Sequence, residues 1–234
     1  MTVAIIIAGG SGHRMGLDIP KQFVNVFDKP VIIYTLESFQ RHPLIDHIMV
    51  VCVDGWEEYV QTSARQFGIT KLRWVVTGGA TSQESIRNGI FHLEDHCQAD
   101  DVVVIHDGIR PLIEDEVLSD VIVTCRKRGN AVTSMPYNEQ IFVADDEEST
   151  TKYIPRDALR RVATPQAYRF GVLDRRYHEA FERGIGIGES SYTNTMMADL
   201  GERLFFAMGS EWNIKLTTRE DLEMFKAYLR MKRA

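Results

Sequence analysis

The sequence predicts an α/β fold: a mostly parallel central sheet with helices on both of its faces. Three observations carry that expectation. Apolar runs at Val3–Ile7, Met49–Val53 and Asp101–Ile105 are nearly uninterrupted instead of alternating with polar residues, as expected of strands buried on both faces. Segments with helical periodicity separate them, which is the order of strand–helix–strand units. Glycine-rich or acidic residues follow several of the strands directly (Ala8–Gly16, Gly78–Gly79, Asp107), so they fall at the carboxyl end of the sheet, where such folds bind ligands.

Taken in order, the first strand delivers AGGSGHRMG and then Pro20-Lys21-Gln22. Val24 and Val26 flank Asn25 in a short strand. Pro30 suits the first turn of a helix, whose apolar stripe is Ile32, Ile33, Leu36 and Phe39 and which Pro43 limits. A second strand covers 45–53, a helix 56–67 ends at Gly68, and a third strand covers 72–76. Thr81 with Glu84 has the pattern of a capping box, opening a helix that carries Ile86, Ile90 and Leu93. The fourth strand leads into His106-Asp107-Gly108-Ile109-Arg110-Pro111; a helix over 114–128 closes at Gly129, and a fifth strand covers 131–135.

The pattern changes at Pro136. Residues 136–156 are polar, with Asp145-Asp146-Glu147-Glu148 between short β-like stretches at 141–144 and 152–154. This is a hairpin pattern, either an arm that pairs subunits or a surface loop. Thr164-Pro165-Gln166 leads into a helix over 171–181. A glycine- and serine-rich loop covers 184–194, a short helix 195–200, and strands 204–208 and 213–216 follow. Thr218 and Asp221 cap a last helix with Leu222, Phe225 and Leu229 facing inward.

The 234 residues fit one large domain, and 44% hydrophobic with 26% charged residues describes an ordinary globular chain. A net charge of −6 does not favour nucleic acid. No stretch suits a signal peptide or a membrane span. Cys52, Cys97 and Cys125 have no metal-ligand or redox spacing. Cys52 suits a core strand and the other two suit helix ends, so reduced thiols and a cytoplasmic location are expected.

The first loop points to anion binding. Gly9, Gly10, Gly12 and Gly16 permit tight bends and expose backbone N–H groups to phosphate oxygens. Arg14 adds a donor fork and Lys21 a mobile point charge. No Lys-Ser/Thr follows the glycines, so the loop is not a P-loop, and Met15 occupies the third glycine of the dinucleotide fingerprint. Asp107 at the end of an apolar strand must be paired or hold a cation. Magnesium, a cap or a salt bridge to Arg110 each satisfies it. His106, with no partner at metal-ligand spacing, is read as a structural hydrogen-bonding residue, and Arg110 as the residue that holds the strand end.

Ala-Gly-Gly-x-Gly-x-Arg-Met, Pro20-Lys21-Gln22, Gly78-Gly79, His106-Asp107 with Arg110-Pro111, Thr164-Pro165-Gln166 and Asn213-Ile214-Lys215 occur in this order across nearly the whole chain. Together they resemble the cytidylyltransferases that make CDP-activated polyols. The resemblance implies a Rossmann-like nucleotidyltransferase sandwich: one domain over 1–234, with 136–156 as a projecting β arm. It implies transfer of CMP from CTP to a polyol phosphate with Mg²⁺ as cofactor. Arg14, Lys21 and Lys215 would be catalytic, Lys215 reaching in from the last strand. Ala8, Gly9, Gly10, Gly12, Gly79, Ser85 and Asp107 would bind the nucleotide, and Asp107 the metal. Arg156, Thr164, Gln166 and Asn194 would bind the acceptor. It also implies a homodimer through the arm, with Arg156 gripping the acceptor phosphate, often across the interface. Neither a nucleic acid nor a membrane partner is implied.

The departures concern the acceptor. Where the methylerythritol branch carries Asp-Thr-x-Lys, this chain has Asn138-Glu139-Gln140-Ile141; where that branch carries Thr-Asp-Glu-Ala, it has Thr193-Asn194-Thr195-Met196. Trp212 replaces an aspartate, Gly108-Ile109 a pair of small residues, and Ser82 an arginine. Of these, the stretch Glu211-Trp212-Asn213-Ile214-Lys215 resembles the ribitol-phosphate branch, so D-ribitol 5-phosphate is the expected acceptor, serving teichoic acid or capsule synthesis. The alternative is 2-C-methyl-D-erythritol 4-phosphate, for isoprenoid precursors.

Overall fold

The computed structural model describes residues 1–10, 19–188 and 192–233. Its centre is a seven-stranded sheet. The strands and helices in chain order are β1 (Thr2–Ala8), β2 (Asn25–Val26), β3 (Lys29–Pro30), α1 (Val31–Arg41), β4 (His47–Cys52), α2 (Glu57–Gln66), β5 (Leu72–Thr77), α3 (Ser82–His92), β6 (Val102–Asp107), α4 (Asp115–Arg128), β7 (Asn130–Pro136), β8 (Ile141–Val143), β9 (Lys152–Ile154), β10 (Arg160–Arg169), α5 (Phe170–Arg183), α6 (Thr193–Asp199), β11 (Phe206–Met208) and α7 (Arg219–Arg233). Sheet order is β11-β7-β10-β6-β1-β4-β5. Only β10 runs antiparallel to its neighbours, β6 and β7.

The alternation of side chains along β1 builds both faces. Ala4, Ile6 and Ala8 join a core with Ile32, Leu36 and Phe39 of α1, Val60 of α2 and Leu118 and Val121 of α4. Val3 and Ile5 join the opposite core with Ile86 and Ile90 of α3, Leu173 and Tyr177 of α5 and Met196 of α6. Helices therefore cover both faces, as expected. A third cluster seats Phe225 of α7 against Val26, Tyr34, Ile109 and Leu216.

After β5 the chain crosses back over β1 to form β6, so β1 and β6 flank the point where strand order reverses. Ile7 pairs with Asp107 there, and the Gly108 N–H bonds to the Ile7 carbonyl at 2.8 Å. A ligand crevice opens beyond strand ends at such a reversal.

The capping box at Thr81 and Glu84 is present in both directions, at 3.1 Å each. Gly129 closes α4 at φ 96°, a left-handed conformation that glycine adopts without strain. β8 and β9 pair antiparallel outside the main sheet and expose Phe142, Val143, Tyr153 and Ile154. All three cysteines are buried free thiols. No helix among the described residues is long and apolar enough to cross a membrane.

Three expectations need correction. Residues 213–216 are not a strand. β11 already occupies the sheet edge beside β7, and the segment lies across the sheet end, where the Leu216 N–H bonds to the Ile109 carbonyl at 2.9 Å. The ten-residue β10 is a strand that the sequence reading lacked; a bulge between Ala163 and Gln166 breaks its pairing with β7. The fourth strand continues through His106 to Asp107, which places the carboxylate within the last strand residue instead of beyond it.

Candidate active site

A crevice of about 310 Å³ opens at the β1/β6 reversal. Its lining includes Ile7, Ser82, Asp107, Arg110, Thr164, Gln166, Asn194 and Lys215. Four expected site residues therefore meet in one cavity with Asp107: Thr164, Gln166, Asn194 and Lys215.

Asp107 is the electrostatic centre. Its Oδ2 accepts from Arg110 Nε at 2.9 Å and lies 3.3 Å from Lys215 Nζ. Burial alone would raise the Asp107 pKa, but the Lys215 and Arg110 cations outweigh it and hold the carboxyl at about 2. It is thus a permanent anion at neutral pH. The salt bridge that sequence left open is present, and it includes Lys215 as well as Arg110. Thr164 Oγ1 accepts from the Asp107 N–H at 3.1 Å, placed there by the β10 bulge.

His106 is fully buried and its Nε2 pairs with the Arg110 carbonyl at 3.1 Å. Burial pushes its pKa down to about 4, against the pull of that bond and of Asp107. A neutral ring must donate through Nε2 to a carbonyl, so His106 anchors the Arg110 turn without carrying charge. This matches its expected structural role.

The glycine loops approach from the other side. Gln22 is buried, and its amide donates to the carbonyls of Ala8 at 2.6 Å and Gly10 at 3.0 Å. It pins the loop's start to the short helix Lys21–Phe23 and so places Lys21 at the base of that loop. Ser85 is buried beneath Gly9, Gly78 and Gly79. Its hydroxyl accepts from the Gly79 N–H at 3.0 Å and donates to the Thr81 carbonyl at 2.9 Å. Gly12 and Arg14 lie outside the described residues.

Gln166 is buried, and its Oε1 accepts from Tyr168 at 2.9 Å. Asn194 sits in the first turn of α6 with its Oδ1 buried and unpartnered among the described residues. Arg156 stands apart: it is exposed in a short helix after β9 and donates to the Asn138 carbonyl at 2.7 Å. It lines a groove with Phe142, Tyr153 and Ile154, not the Asp107 crevice. Trp212 also misses the crevice, packing 5.1 Å from the Tyr228 ring.

Sequence reasoning assigned no role to Gln22 or Asn213, both of which bond to backbone carbonyls of distant segments. It also missed Tyr192 and Val162 in the crevice wall. Burial beside a glycine loop is the one signal that marks Gln22.

One carboxylate, fixed as an anion beside a crevice, is a donor that suits magnesium completed by substrate phosphates and water. Asp107 is the only acid lining this crevice among the described residues. The one His/carboxylate cluster of metal-ligand spacing among them, Glu94, Asp174 and His178, lies elsewhere.

The family model for "IspD: 2-C-methyl-D-erythritol 4-phosphate cytidylyltransferase" matches residues 2–231. A ribitol-5-phosphate cytidylyltransferase of Lacticaseibacillus paracasei is 60% identical over 99% of this chain and 99% of that protein. A 2-C-methyl-D-erythritol 4-phosphate cytidylyltransferase of Alkaliphilus metalliredigens is 35% identical over 93% of this chain and 88% of its own. The crystal structure of 4-diphosphocytidyl-2C-methyl-D-erythritol synthase from Anaerococcus prevotii superposes with a TM-score of 0.83 at 25% identity, covering 98% of this chain and 96% of the other.

Proposed function

The chain belongs to the IspD family of cytidylyltransferases, and on that premise we propose that it transfers CMP from CTP to D-ribitol 5-phosphate, releasing pyrophosphate and CDP-ribitol. One observation carries the choice of acceptor: the 60% identity, end to end, with a protein named ribitol-5-phosphate cytidylyltransferase. The 35% identity with a methylerythritol-phosphate enzyme supports the runner-up, 2-C-methyl-D-erythritol 4-phosphate.

In this reading a phosphate oxygen of the acceptor attacks the α-phosphorus of CTP in line. A new P–O bond forms as the bond to the β-phosphate oxygen breaks, and the electron pair leaves with pyrophosphate. A phosphate monoester has its second pKa near 6, so the nucleophile is already an anion and no general base is needed. Catalysis then consists of holding two anions together and stabilising charge on the transferring group.

Lys215 supplies a cation at the crevice centre, while Lys21 and Arg14 serve the triphosphate from the first loop. Backbone N–H groups of Gly9, Gly10 and Gly12 complete that cradle, with Gly79 and Ser85 on the cytidine side. Thr164, Gln166 and Asn194 line the acceptor side. Asp107 would hold Mg²⁺, which when bound offsets charge on the triphosphate.

Arg156 lines a groove other than its own chain's crevice, which supports an arm that reaches a second copy. The exposed strip of Phe142, Tyr153 and Ile154 beside it suits burial in a homodimer. The three unpaired thiols support a cytoplasmic location.

The test is a panel of polyol phosphates with CTP, reading pyrophosphate release and the CDP-polyol by mass, with and without Mg²⁺. The expected result is a magnesium-dependent kcat/KM highest for D-ribitol 5-phosphate. A higher value for 2-C-methyl-D-erythritol 4-phosphate overturns the assignment.

A further inference from the structure

Asn213 has no part in the chemistry above, yet it occupies a singular place beneath it. It is buried at 6% exposure. Its Nδ2 donates to the Thr164 carbonyl at 2.6 Å, and its own carbonyl accepts from Arg110 Nη1 at 2.7 Å. Arg110 in turn holds Asp107 Oδ2 at 2.9 Å, and the Asp107 N–H reaches Thr164 Oγ1 at 3.1 Å. The bonds close a ring: Asp107, Arg110, Asn213, Thr164. Lys215 stands two residues beyond Asn213, with its Nζ 3.3 Å from the same Oδ2. We propose that Asn213 is a positioning residue for nucleotidyl transfer, fixing where Lys215 and Arg110 stand relative to Asp107.

Three features support the role. Residues 213–217 have no strand ladder to hold them. Among the described residues, the hydrogen bonds that reach them from β10 and from the turn after β6 are the two of Asn213 and the Leu216 N–H to Ile109. Lys215 therefore depends on a few discrete bonds, not on a sheet, for its position.

The Asn213 Oδ1 is buried with no partner among the described residues. An unpaired buried acceptor is unfavourable, so the side chain is not there for inert packing. Its donated bond has one consistent orientation, because exchanging the amide atoms would set Oδ1 against the Thr164 carbonyl.

The ring also borders open space. Arg110, Val162, Ala163 and Lys215 line both the crevice and a second cavity of about 450 Å³. Asn213 lines that second cavity. Toward these cavities slack in the ring is not resisted by close packing; away from them Ile109 and Leu216 are packed against Phe225.

This inference rests on the transfer reaction proposed above. Asn213→Ala removes the amide, while Asn213→Asp keeps its shape but exchanges the donor for a carboxylate oxygen and adds a negative charge. Both are expected to lower kcat roughly 10- to 100-fold, the size expected for a small misplacement of a catalytic group. KM for CTP should stay near the parent's, and the unpaired Thr164 carbonyl should lower the thermal midpoint while leaving the chain folded at the assay temperature. In a Lys215→Ala background the added loss should shrink to less than about threefold, because residues acting as a unit are not additive.

Equal losses with and without Lys215, near-normal kcat in both variants, or failure of both to fold overturns the inference. A parent chain inert toward every acceptor sinks the transfer reading instead, and an active parent with an unimpaired Asn213→Ala sinks only the role of Asn213.

Discussion

Under the proposed reading, replacing Lys215 by alanine should separate catalysis from folding. The Nζ lies 3.3 Å from Asp107 Oδ2, with side-chain exposures of 35% and 22%. At an effective dielectric near 20, two unit charges at that distance attract by ~5 kcal/mol. Little of this appears as stability. Asp107 keeps Arg110 at 2.9 Å, and a pair as open to water as this one contributes ~1 kcal/mol or less after screening. For a chain of this length that moves Tm by ~2–4 °C. The same cation facing a transferring phosphoryl group is worth far more, because the charge it meets develops in the transition state. Losing one such group removes ~3–4 kcal/mol, or about 10²–10³ in kcat.

The variant carries a second signature in acid. Asp107 titrates at about 2, below its ordinary 3.8. A depressed carboxyl contributes stability that is complete above its unfolded pKa and lost as pH falls through the folded one. At ~1.4 kcal/mol per pH unit, Asp107 contributes about 2 kcal/mol at neutral pH. Without Lys215 its pKa rises, so less is contributed and the acid loss is smaller and complete at a higher pH. The assay is steady-state pyrophosphate release at saturating CTP and D-ribitol 5-phosphate, with thermal melts from pH 7 to pH 2. A kcat within about tenfold of the parent would refute the catalytic role; an acid limb that does not move would refute the pairing.

Two further outcomes follow from the geometry. In Gly79→Ala the new Cβ would lie 2.3 Å from Glu84 Cβ and 3.1 Å from the Glu84 carbonyl carbon. Either the loop or the first turn of α3 must move, lowering stability by ~1–3 kcal/mol and raising KM for CTP; a parent-like melt and KM would show that the loop has room. If Arg156 serves the partner's crevice, Arg156→Ala and Lys215→Ala chains are each nearly inactive alone. Mixed one to one and allowed to exchange, they should recover about a quarter of parent activity, since half the dimers carry one intact site. No recovery at any ratio would place Arg156 in its own subunit's chemistry.

Most of the fold was legible because it is written locally. β1, β4 and β6 are apolar on both faces, and the Thr81–Glu84 box and Gly129 mark helix ends. β10 was not legible for an equally physical reason. Arg160-Arg161 and Pro165 argue against an interior strand, and the structure accommodates the proline only by bulging the pairing between Ala163 and Gln166. Residues 213–216 failed in the opposite sense: they alternate like a strand, but propensity cannot supply a neighbour once β11 has taken the sheet edge. In the site, Arg110 stands three residues from Asp107, a spacing that made their salt bridge a readable option. Gln22 and Asn213 work through carbonyls of segments brought near only by folding, at sequence separations of 14 and 49. No local pattern reports such bonds.

The same division explains why the donor chemistry is easier to read than the acceptor. The charged centre is formed by residues whose types are demanded by phosphate: Lys215 and Arg110 around an ionised Asp107. Acceptor choice depends on the rim, and there the departures are not equivalent. Trp212 packs at a tilt against Tyr228 outside the crevice, and the carbonyl of Asn138 is bound by Arg156. Ser82 and Asn194 border the crevice itself. Asn194 places a neutral amide where the methylerythritol branch carries a carboxylate, and its Oδ1 is buried. Beside a fixed Asp107 anion and an incoming phosphate, that exchange removes a repulsive charge. The amide N–H groups that remain can donate to a hydroxyl of the longer pentitol chain. Under the proposed reading, discrimination between the two acceptors therefore rests on Asn194 more than on Trp212 or Asn138.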